Sequence, residues 1–141
     1  MKIQIHQISA SASEAAIGEH RVVIDRPVAK GGSGAGPMGG ELFLAAVGGC
    51  FMSNLLAAIK ARDADVTGVE TEVTGTTADS PARFVAVELC VSAECPDRAV
   101  LEKVVEIASR ACIMVNTLKG TMEVKVSAIR HSQSAPQVST G

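Results

Sequence analysis

The sequence has almost no aromatic residues and no surplus of either charge. Its 141 residues include no tryptophan, no tyrosine and three phenylalanines. Aromatic side chains stack nucleic-acid bases, and tryptophan and tyrosine mark the lipid interface of membrane proteins. The 13 basic and 15 acidic residues give a net charge of -2, without the basic surplus that phosphate binding needs. The composition therefore predicts no nucleic-acid partner and no membrane partner.

The sequence also lacks the spacings that are typical of metal and dithiol sites. The four cysteines are Cys50, Cys90, Cys95 and Cys112. None of them forms a C-x-x-C pair, and the three histidines lie far from them in sequence, so we expect no metal site and no cofactor. Secretion would allow three disulfide pairings, whereas in a reducing cytosol any bridge would be transient and catalytic.

Neither a leader nor a membrane span is predicted. The first nine residues alternate apolar and polar side chains, without the apolar core and cleavage site of a signal peptide. Residues 42–59 carry no charge and approach the ~20 residues that cross a bilayer. Two glycines, a serine and an asparagine interrupt this segment, so we interpret it as a buried core helix and expect a cytoplasmic protein.

The apolar pattern predicts a single α+β domain over residues 1–130, followed by a disordered tail at 131–141. Strands are predicted at 2–8, 20–26, 69–74, 85–92 and 122–128, and helices at 41–62 and from Asp97, a plausible N-cap, onward. The segment around Glu14 to Gly18 is expected to join the first two strands. Strands paired in hairpins favour antiparallel sheet over a doubly wound parallel one.

The helix predicted at 41–62 is apolar on most faces, which indicates burial nearly all round. The chain is 47% apolar with a mean hydropathy of +0.27, more than a small monomer needs. We therefore expect a homodimer.

Residues 30–40 hold six of the thirteen glycines and are predicted to form a loop. They contain a literal G-x-G-x-x-G at Gly34, Gly36 and Gly39. No strand runs directly into Gly34, and no second parallel strand ends in an acid, so a dinucleotide site is not predicted. Two interpretations stay open: a flexible connection, or a loop that lines a substrate mouth.

Cys50 follows two glycines inside the apolar helix. If Gly48 and Gly49 break that helix, Cys50 begins its second part, where the helix dipole favours the thiolate. By residue type alone it is a small core residue. Cys112 is expected at the start of a short helix after Arg110, and Cys90 and Cys95 are expected to be structural.

Residues 24–62 carry a recognisable series of motifs. Asp25 and Pro27 end a strand, a glycine-rich loop with Gly36-Pro37 follows, and the segment from Glu41 to Cys50 reads ELFLAAVGGC. This series resembles the signature of the OsmC/Ohr family, the osmotically inducible protein C and organic hydroperoxide resistance proteins. The second family cysteine opens C-P-V-x-x-T-L, which Cys112 with Thr117 and Leu118 matches in part.

The resemblance implies an α+β fold in which antiparallel sheets surround long buried central helices and two chains intertwine into a homodimer. It also implies reduction of organic hydroperoxides, with Cys50 as the attacking thiolate and Cys112 as the resolving thiol. An external dithiol then reduces the disulfide.

In the family, an arginine held by a glutamate stabilises the attacking thiolate. Glu41 lies nine residues before Cys50, where a related branch has its acid, and Arg26 is our candidate for the cation. Neither Arg26 nor Arg21 lies in a motif that we can match. This leaves two alternatives open: a non-catalytic small-molecule-binding or redox-sensing dimer, and a purely structural dimer with two buried thiols.

Overall fold

The computed structural model describes residues 1–131, which form two three-stranded sheets and three α-helices. The strands are β1 (Gln4–Gln7), β2 (Ser13–Ile17), β3 (His20–Ile24), β4 (Thr67–Asp79), β5 (Ala82–Glu94) and β6 (Glu123–Arg130). The helices are α1 (Gly39–Ala61), α2 (Arg98–Ala111) and α3 (Ile113–Leu118), and a short 3-10 turn covers Val28–Lys30. These elements confirm the predicted α+β class.

The chain divides into two compact units, Met1–Ala45 and the remainder from Ala46. The single domain expected over residues 1–130 stays a prediction. The tail expected at 131–141 lies, except for His131, outside the described residues.

In the first unit, β1, β2 and β3 form an antiparallel sheet with β2 in the centre. The segment around Glu14 to Gly18, expected as a connection, is mostly this central strand, so that prediction is wrong. Its buried residue is the small Ala15, which lacks the branched or aromatic side chain that signals a strand. Gly18, with φ of 59°, begins the two-residue turn into β3.

In the second unit, β4 and β5 form a long antiparallel hairpin, and β6 pairs with β5 in parallel. The expectation of purely antiparallel sheet is therefore wrong at β6. Two helices, α2 and α3, lie between β5 and β6 in the chain and carry it back along the sheet. Because of this crossover, β6 starts at the same end as β5.

The core of the second unit lies between one face of this sheet and the helices. Four alternate residues of β5 are buried, Val87, Leu89, Val91 and Ala93, as are four residues of α2, Leu101, Val104, Val105 and Ala108. The Asp97 carboxylate caps α2 by accepting a hydrogen bond of 2.9 Å from the Ala99 N–H, as predicted.

Helix α1 is continuous and buries one stripe of side chains. Its buried residues are Val47, Gly48, Phe51, Leu55 and Ala58, whereas Leu56 is 52% exposed. The expectation of burial nearly all round is therefore wrong for the single chain. Helix α1 is also long and apolar enough to cross a membrane, and 22% of its most apolar segment is buried. Core helices of soluble proteins can have the same length and composition.

Gly48 has a packing role within the second unit. A Cβ on this residue would lie 2.7 Å from Val73 Cγ2 of β4, so the helix approaches the sheet at a distance that only glycine permits. A Cβ on the neighbouring Gly49 would meet nothing within 4 Å. The two glycines therefore differ in function: Gly48 permits close packing, and Gly49 faces open space.

Candidate active site

Two of the four cysteines meet in the second unit. The Cys112 thiol donates a hydrogen bond to the Cys50 sulfur, and the two Sγ atoms are 3.4 Å apart. Both cysteines are free thiols. The structure therefore brings Cys50 and Cys112 into contact across 62 positions of sequence, and we call them the thiol pair.

The junction of α2 and α3 holds Cys112 in place. Its backbone is extended, its N–H donates to the Ala108 carbonyl at 3.0 Å, and its carbonyl accepts from the Asn116 N–H at 3.0 Å. The side chain is 0% exposed. Burial raises the pKa of the Cys112 thiol, and the backbone N–H groups of Val115 and Met114 offset this only in part. Cys112 is therefore kept as a neutral thiol near pH 7.

Cys50 lies in the interior of α1 and is partly exposed. Because the helix is not broken at Gly48 and Gly49, the hypothesis that Cys50 begins a helix is wrong, and α1 offers it no free N–H groups. Its sulfur has two hydrogen-bond partners in the described chain, the Cys112 thiol and the Asn54 amide nitrogen at 4.0 Å. Within residues 46–131, no lysine, arginine or histidine is within hydrogen-bonding distance of this sulfur.

The two thiols differ in access and can therefore do different chemistry. A reagent in solution can reach the Cys50 sulfur, whereas the Cys112 sulfur is screened from solvent. Closing a disulfide requires the sulfurs to approach from 3.4 Å to about 2.05 Å. The site therefore consists of a partly exposed thiol, Cys50, in contact with a buried thiol, Cys112.

The two supporting candidates, Glu41 and Arg26, are not brought together. Both are exposed, and neither side chain forms an ion pair within the described part of the chain. Arg21 instead donates to the Gly18 and His20 carbonyls and lies 3.9 Å from Glu14. A cation held by Glu41 is therefore not present in the first unit.

The glycine loop is organised by Asp25, which sequence reasoning placed in a motif without giving it a role. Asp25 is 2% exposed. Its Oδ2 accepts from the Ser33 hydroxyl at 2.5 Å, the Ser33 N–H at 3.1 Å and the Ala35 N–H at 3.1 Å, and its Oδ1 accepts from the Arg26 N–H at 2.7 Å. The Ser33 hydroxyl and the Ala35 N–H, aided by the other two donors, hold the pKa of Asp25 well below its usual range.

Two glycines let the loop approach the end of β3. A Cβ on Gly32 would lie 1.9 Å from the Arg26 carbonyl oxygen, and one on Gly36 would lie 2.2 Å from the Val23 carbonyl oxygen. We call residues 25–37 the Asp25 loop. Its hydrogen bonds favour a fixed structure over the flexible connection that its composition also allowed. A lone aspartate at the end of an apolar strand, followed within ten residues by a Gly-Ser-Gly run, was the available signal.

The remaining cysteines have no sulfur partner among the described residues. Cys90 is partly exposed on the sheet face that the helices leave open, and Cys95 is 9% exposed just after β5. Within residues 1–131 no three His, Cys, Asp or Glu side chains are grouped so as to hold a metal ion.

A groove of about 550 Å³ lies between α2 and β6, and neither member of the thiol pair lines it. Two of its arginines are already paired on α2, Arg98 with Glu102 at 2.7 Å and Arg110 with Glu106 at 2.6 Å. The thiol pair therefore lies outside this groove.

The sequence model that describes OsmC-like proteins matches residues 31–127, which include both members of the thiol pair. The chain belongs to the OsmC-like family. This confirms the resemblance that the motifs from Asp25 to Cys50 indicated. None of the curated proteins compared with this OsmC-like chain matches its sequence.

Solved structures share the fold of this chain. A hypothetical protein from Aquifex aeolicus superimposes with a TM-score of 0.79 at 15% identity, over 92% of this chain and 95% of its own. An organic hydroperoxide resistance protein OsmC from Legionella pneumophila gives 0.71 at 21%, over 90% and 94%. The organic hydroperoxide resistance protein OhrB of Bacillus subtilis gives 0.66 at 23%, over 91% and 96%. At these identities the likeness establishes the fold.

Proposed function

We propose that this OsmC-like protein is a thiol-dependent peroxidase that reduces organic hydroperoxides in the cytoplasm. The observation that carries the proposal is the thiol pair: a partly exposed sulfur, Cys50, lies 3.4 Å from a buried one, Cys112. The Legionella and Bacillus neighbours are organic hydroperoxide resistance proteins, which suggests the substrate class.

In the first step the Cys50 thiolate attacks the terminal oxygen of the hydroperoxide ROOH. A sulfur–oxygen bond forms while the O–O bond breaks, and the departing RO⁻ takes up a proton and leaves as the alcohol ROH. Cys50 is oxidised by two electrons to a sulfenic acid, and the peroxide is reduced. We assign attack to Cys50 because the peroxide must reach the sulfur and Cys112 is 0% exposed.

In the second step the Cys112 sulfur attacks the Cys50 sulfur of the sulfenic acid. A disulfide forms, the S–O bond breaks, and the oxygen leaves as water after gaining the thiol proton. An external dithiol then reduces the disulfide by exchange, which returns both thiols and oxidises the dithiol. Burial raises the pKa of the Cys112 thiol, which favours Cys50 over Cys112 as the thiol that attacks the peroxide.

A homodimer is part of the proposal. The face of α1 opposite its buried stripe carries small and apolar residues, and Leu56 on it is 52% exposed. A second copy of the chain would cover this face, and we expect the interface to exceed the ~2,000 Å² at which obligate dimers begin. Sedimentation at micromolar concentration should give a dimer, and a stable monomer would refute this part.

Turnover of hydroperoxides in the presence of a dithiol tests the enzyme assignment. Cumene and tert-butyl hydroperoxide should be consumed catalytically, and faster than hydrogen peroxide, because α1 carries no charge from residue 42 to residue 59 around Cys50. Equal or faster turnover of hydrogen peroxide would contradict the substrate class. No consumption of any of the three would contradict the enzyme.

A redox sensor is the second candidate, and one observation favours it. Within the described part of the second unit, residues 46–131, no cationic side chain is within hydrogen-bonding distance of the Cys50 sulfur to support a thiolate. A sensor would form the Cys50–Cys112 disulfide with one equivalent of peroxide and would not be recycled by the dithiol. The same assay, followed over several equivalents, separates the two candidates.

A further inference from the structure

Asn54 is a half-buried polar residue on an otherwise apolar stretch of α1, one turn after Cys50. Asparagine is a poor helix former, because its side chain competes for backbone hydrogen bonds. Its amide nitrogen donates to the Cys50 carbonyl at 2.9 Å and lies 4.0 Å from the Cys50 sulfur. Residues four apart share one face of a helix, so the amide and the thiol are neighbours.

The orientation of the amide follows from its partner. A backbone carbonyl only accepts hydrogen bonds, so the Asn54 nitrogen, and not its oxygen, must face the Cys50 carbonyl. An amide nitrogen carries two hydrogens, and one remains free for a second acceptor. The sulfur of Cys50 is the second acceptor within reach of this nitrogen.

We propose that Asn54 is the donor that stabilises the Cys50 thiolate. The carbonyl bond anchors the amide and leaves its second N–H free to donate to the sulfur. A hydrogen bond to an ionised group is shorter and stronger than one between neutral groups, so the contact tightens from 4.0 Å when the thiol loses its proton. The role of Asn54 in peroxide reduction rests on the proposed function, whereas its effect on the thiolate does not.

Neighbouring Ser53 supplies a matched control. Its hydroxyl donates to the Gly49 carbonyl at 2.9 Å, a bond to the carbonyl four residues back like that of Asn54, but it does not contact the Cys50 sulfur. Ser53→Ala therefore removes the same kind of backbone contact, one position away, without removing a donor to the thiol.

The test compares full-length wild type, Asn54→Ala, Asn54→Asp and Ser53→Ala, all reduced. The rate at which iodoacetamide alkylates Cys50 is measured by mass spectrometry of its peptide. The thiolate absorbance at 240 nm is recorded against Cys50→Ser as the blank, a measurement that the absence of tryptophan and tyrosine favours. Thermal unfolding checks that each variant is folded, and peroxide consumption is measured separately.

Asn54→Ala should slow alkylation about ten- to 150-fold, the size of a lost hydrogen bond to a charged group, and should lower the thiolate absorbance. Asn54→Asp should slow alkylation at least as much, because the carboxylate has the same shape as the amide but carries a negative charge and no N–H. Ser53→Ala should stay within about twofold of wild type. A folded Asn54→Ala or Asn54→Asp that reacts as fast as wild type overturns the proposal.

The two proposals fail separately. If wild type consumes no peroxide but Asn54→Ala still slows alkylation, the enzyme assignment fails and the role of Asn54 stands. If wild type turns over peroxide and the Asn54 variants match it in alkylation and absorbance, Asn54 has no such role and the enzyme assignment stands.

Discussion

The Asp25 loop and the thiol pair each contain a buried acidic group, the Asp25 carboxyl and the Cys112 thiol. The pKa of the carboxyl is lowered, whereas the pKa of the thiol is raised. Asp25 receives four hydrogen bonds, which hold its carboxylate ionised and leave it without capacity for a ligand. Cys112 is buried without enough donors, so burial raises its pKa and holds it neutral. Its neighbour Cys50 is left partly exposed with two weak partners.

The difference bears on which of two conspicuous segments we propose to be reactive. The glycine-rich segment draws attention in the sequence, yet its aspartate accepts hydrogen bonds from Arg26, Ser33 and Ala35 within the loop. The thiol pair keeps one sulfur partly exposed, and access to the peroxide is what our proposal requires of the attacking thiol.

The largest expected effect separates the two regions by function. Cys50→Ser should abolish peroxide consumption, because a serine hydroxyl is hardly ionised near neutral pH and forms no sulfenic acid. Asp25→Asn should keep single-turnover consumption per folded molecule. Peroxide consumption by each variant is measured in quenched samples and divided by the concentration of folded protein. Peroxide turnover by Cys50→Ser would contradict the assignment of the chemistry to the thiol pair.

The next effect is on stability and concerns Asp25. The amide introduced by Asp25→Asn would direct an NH₂ group at donors that now meet an oxygen, so this variant should have a lower free energy of unfolding at pH 7. The folded-state pKa of Asp25 is lowered, so its contribution is complete above the unfolded value of ~3.9 and is lost as the pH falls through the folded value. The difference between wild type and variant should therefore shrink below about pH 4.

Chemical unfolding from pH 7 to pH 3 measures this difference. Asp65→Asn is the control, because Asp65 is exposed and no ion pair to it is present in residues 1–131. It should change the free energy of unfolding by less than ~0.5 kcal/mol. A difference for Asp25→Asn that grows toward acid pH would show that the loop does not hold the carboxylate ionised.

The two adjacent glycines of α1 sharpen the account of how Cys50 is positioned. Gly48→Ala should destabilise the protein by about 1–3 kcal/mol, because the new methyl meets Val73 Cγ2 at 2.7 Å. Gly49→Ala meets nothing within 4 Å and should stabilise the helix by about 0.5–1 kcal/mol. Denaturant titration of both variants checks the order. A loss at Gly49 instead would place it against a second copy of the chain.

The smallest effects are expected at the cysteines outside the pair. Cys95→Ser should cost about 1 kcal/mol, because Cys95 is 9% exposed, and Cys90→Ser less than ~0.5 kcal/mol. Both variants should consume one equivalent of peroxide as fast as wild type. A slower reaction in Cys90→Ser would extend the reactive region to the open face of the sheet.

Local signals in the sequence predicted much of the fold. The alternating strands β4 and β5, the α2 stripe and the Asp97 cap follow from patterns that each element carries itself. The central strand β2 was missed because Ala15 gives no strand signal, and the parallel β6 was missed because pairing depends on the path of the crossover. Neither property resides in the residues of the element alone.

The site was predictable only in part. The family motifs singled out Cys50 and Cys112, but no periodicity shows that residues 62 positions apart meet at 3.4 Å. The burial that distinguishes the two thiols arises from α2, α3 and the sheet together, so it has no signature in the sequence. Asn54 was visible as a polar residue in an apolar run, and its two contacts needed the helix geometry.

The assignment of attack to Cys50 and resolution to Cys112 is tested most directly by one equivalent of cumene hydroperoxide. Reduced wild type and Cys112→Ser are treated, quenched with dimedone and mapped by mass spectrometry at all four cysteines. Wild type should yield a Cys50–Cys112 disulfide, and Cys112→Ser a dimedone adduct on Cys50. An adduct on Cys90 or Cys95, or an unmodified Cys50 after the peroxide is consumed, would contradict the account.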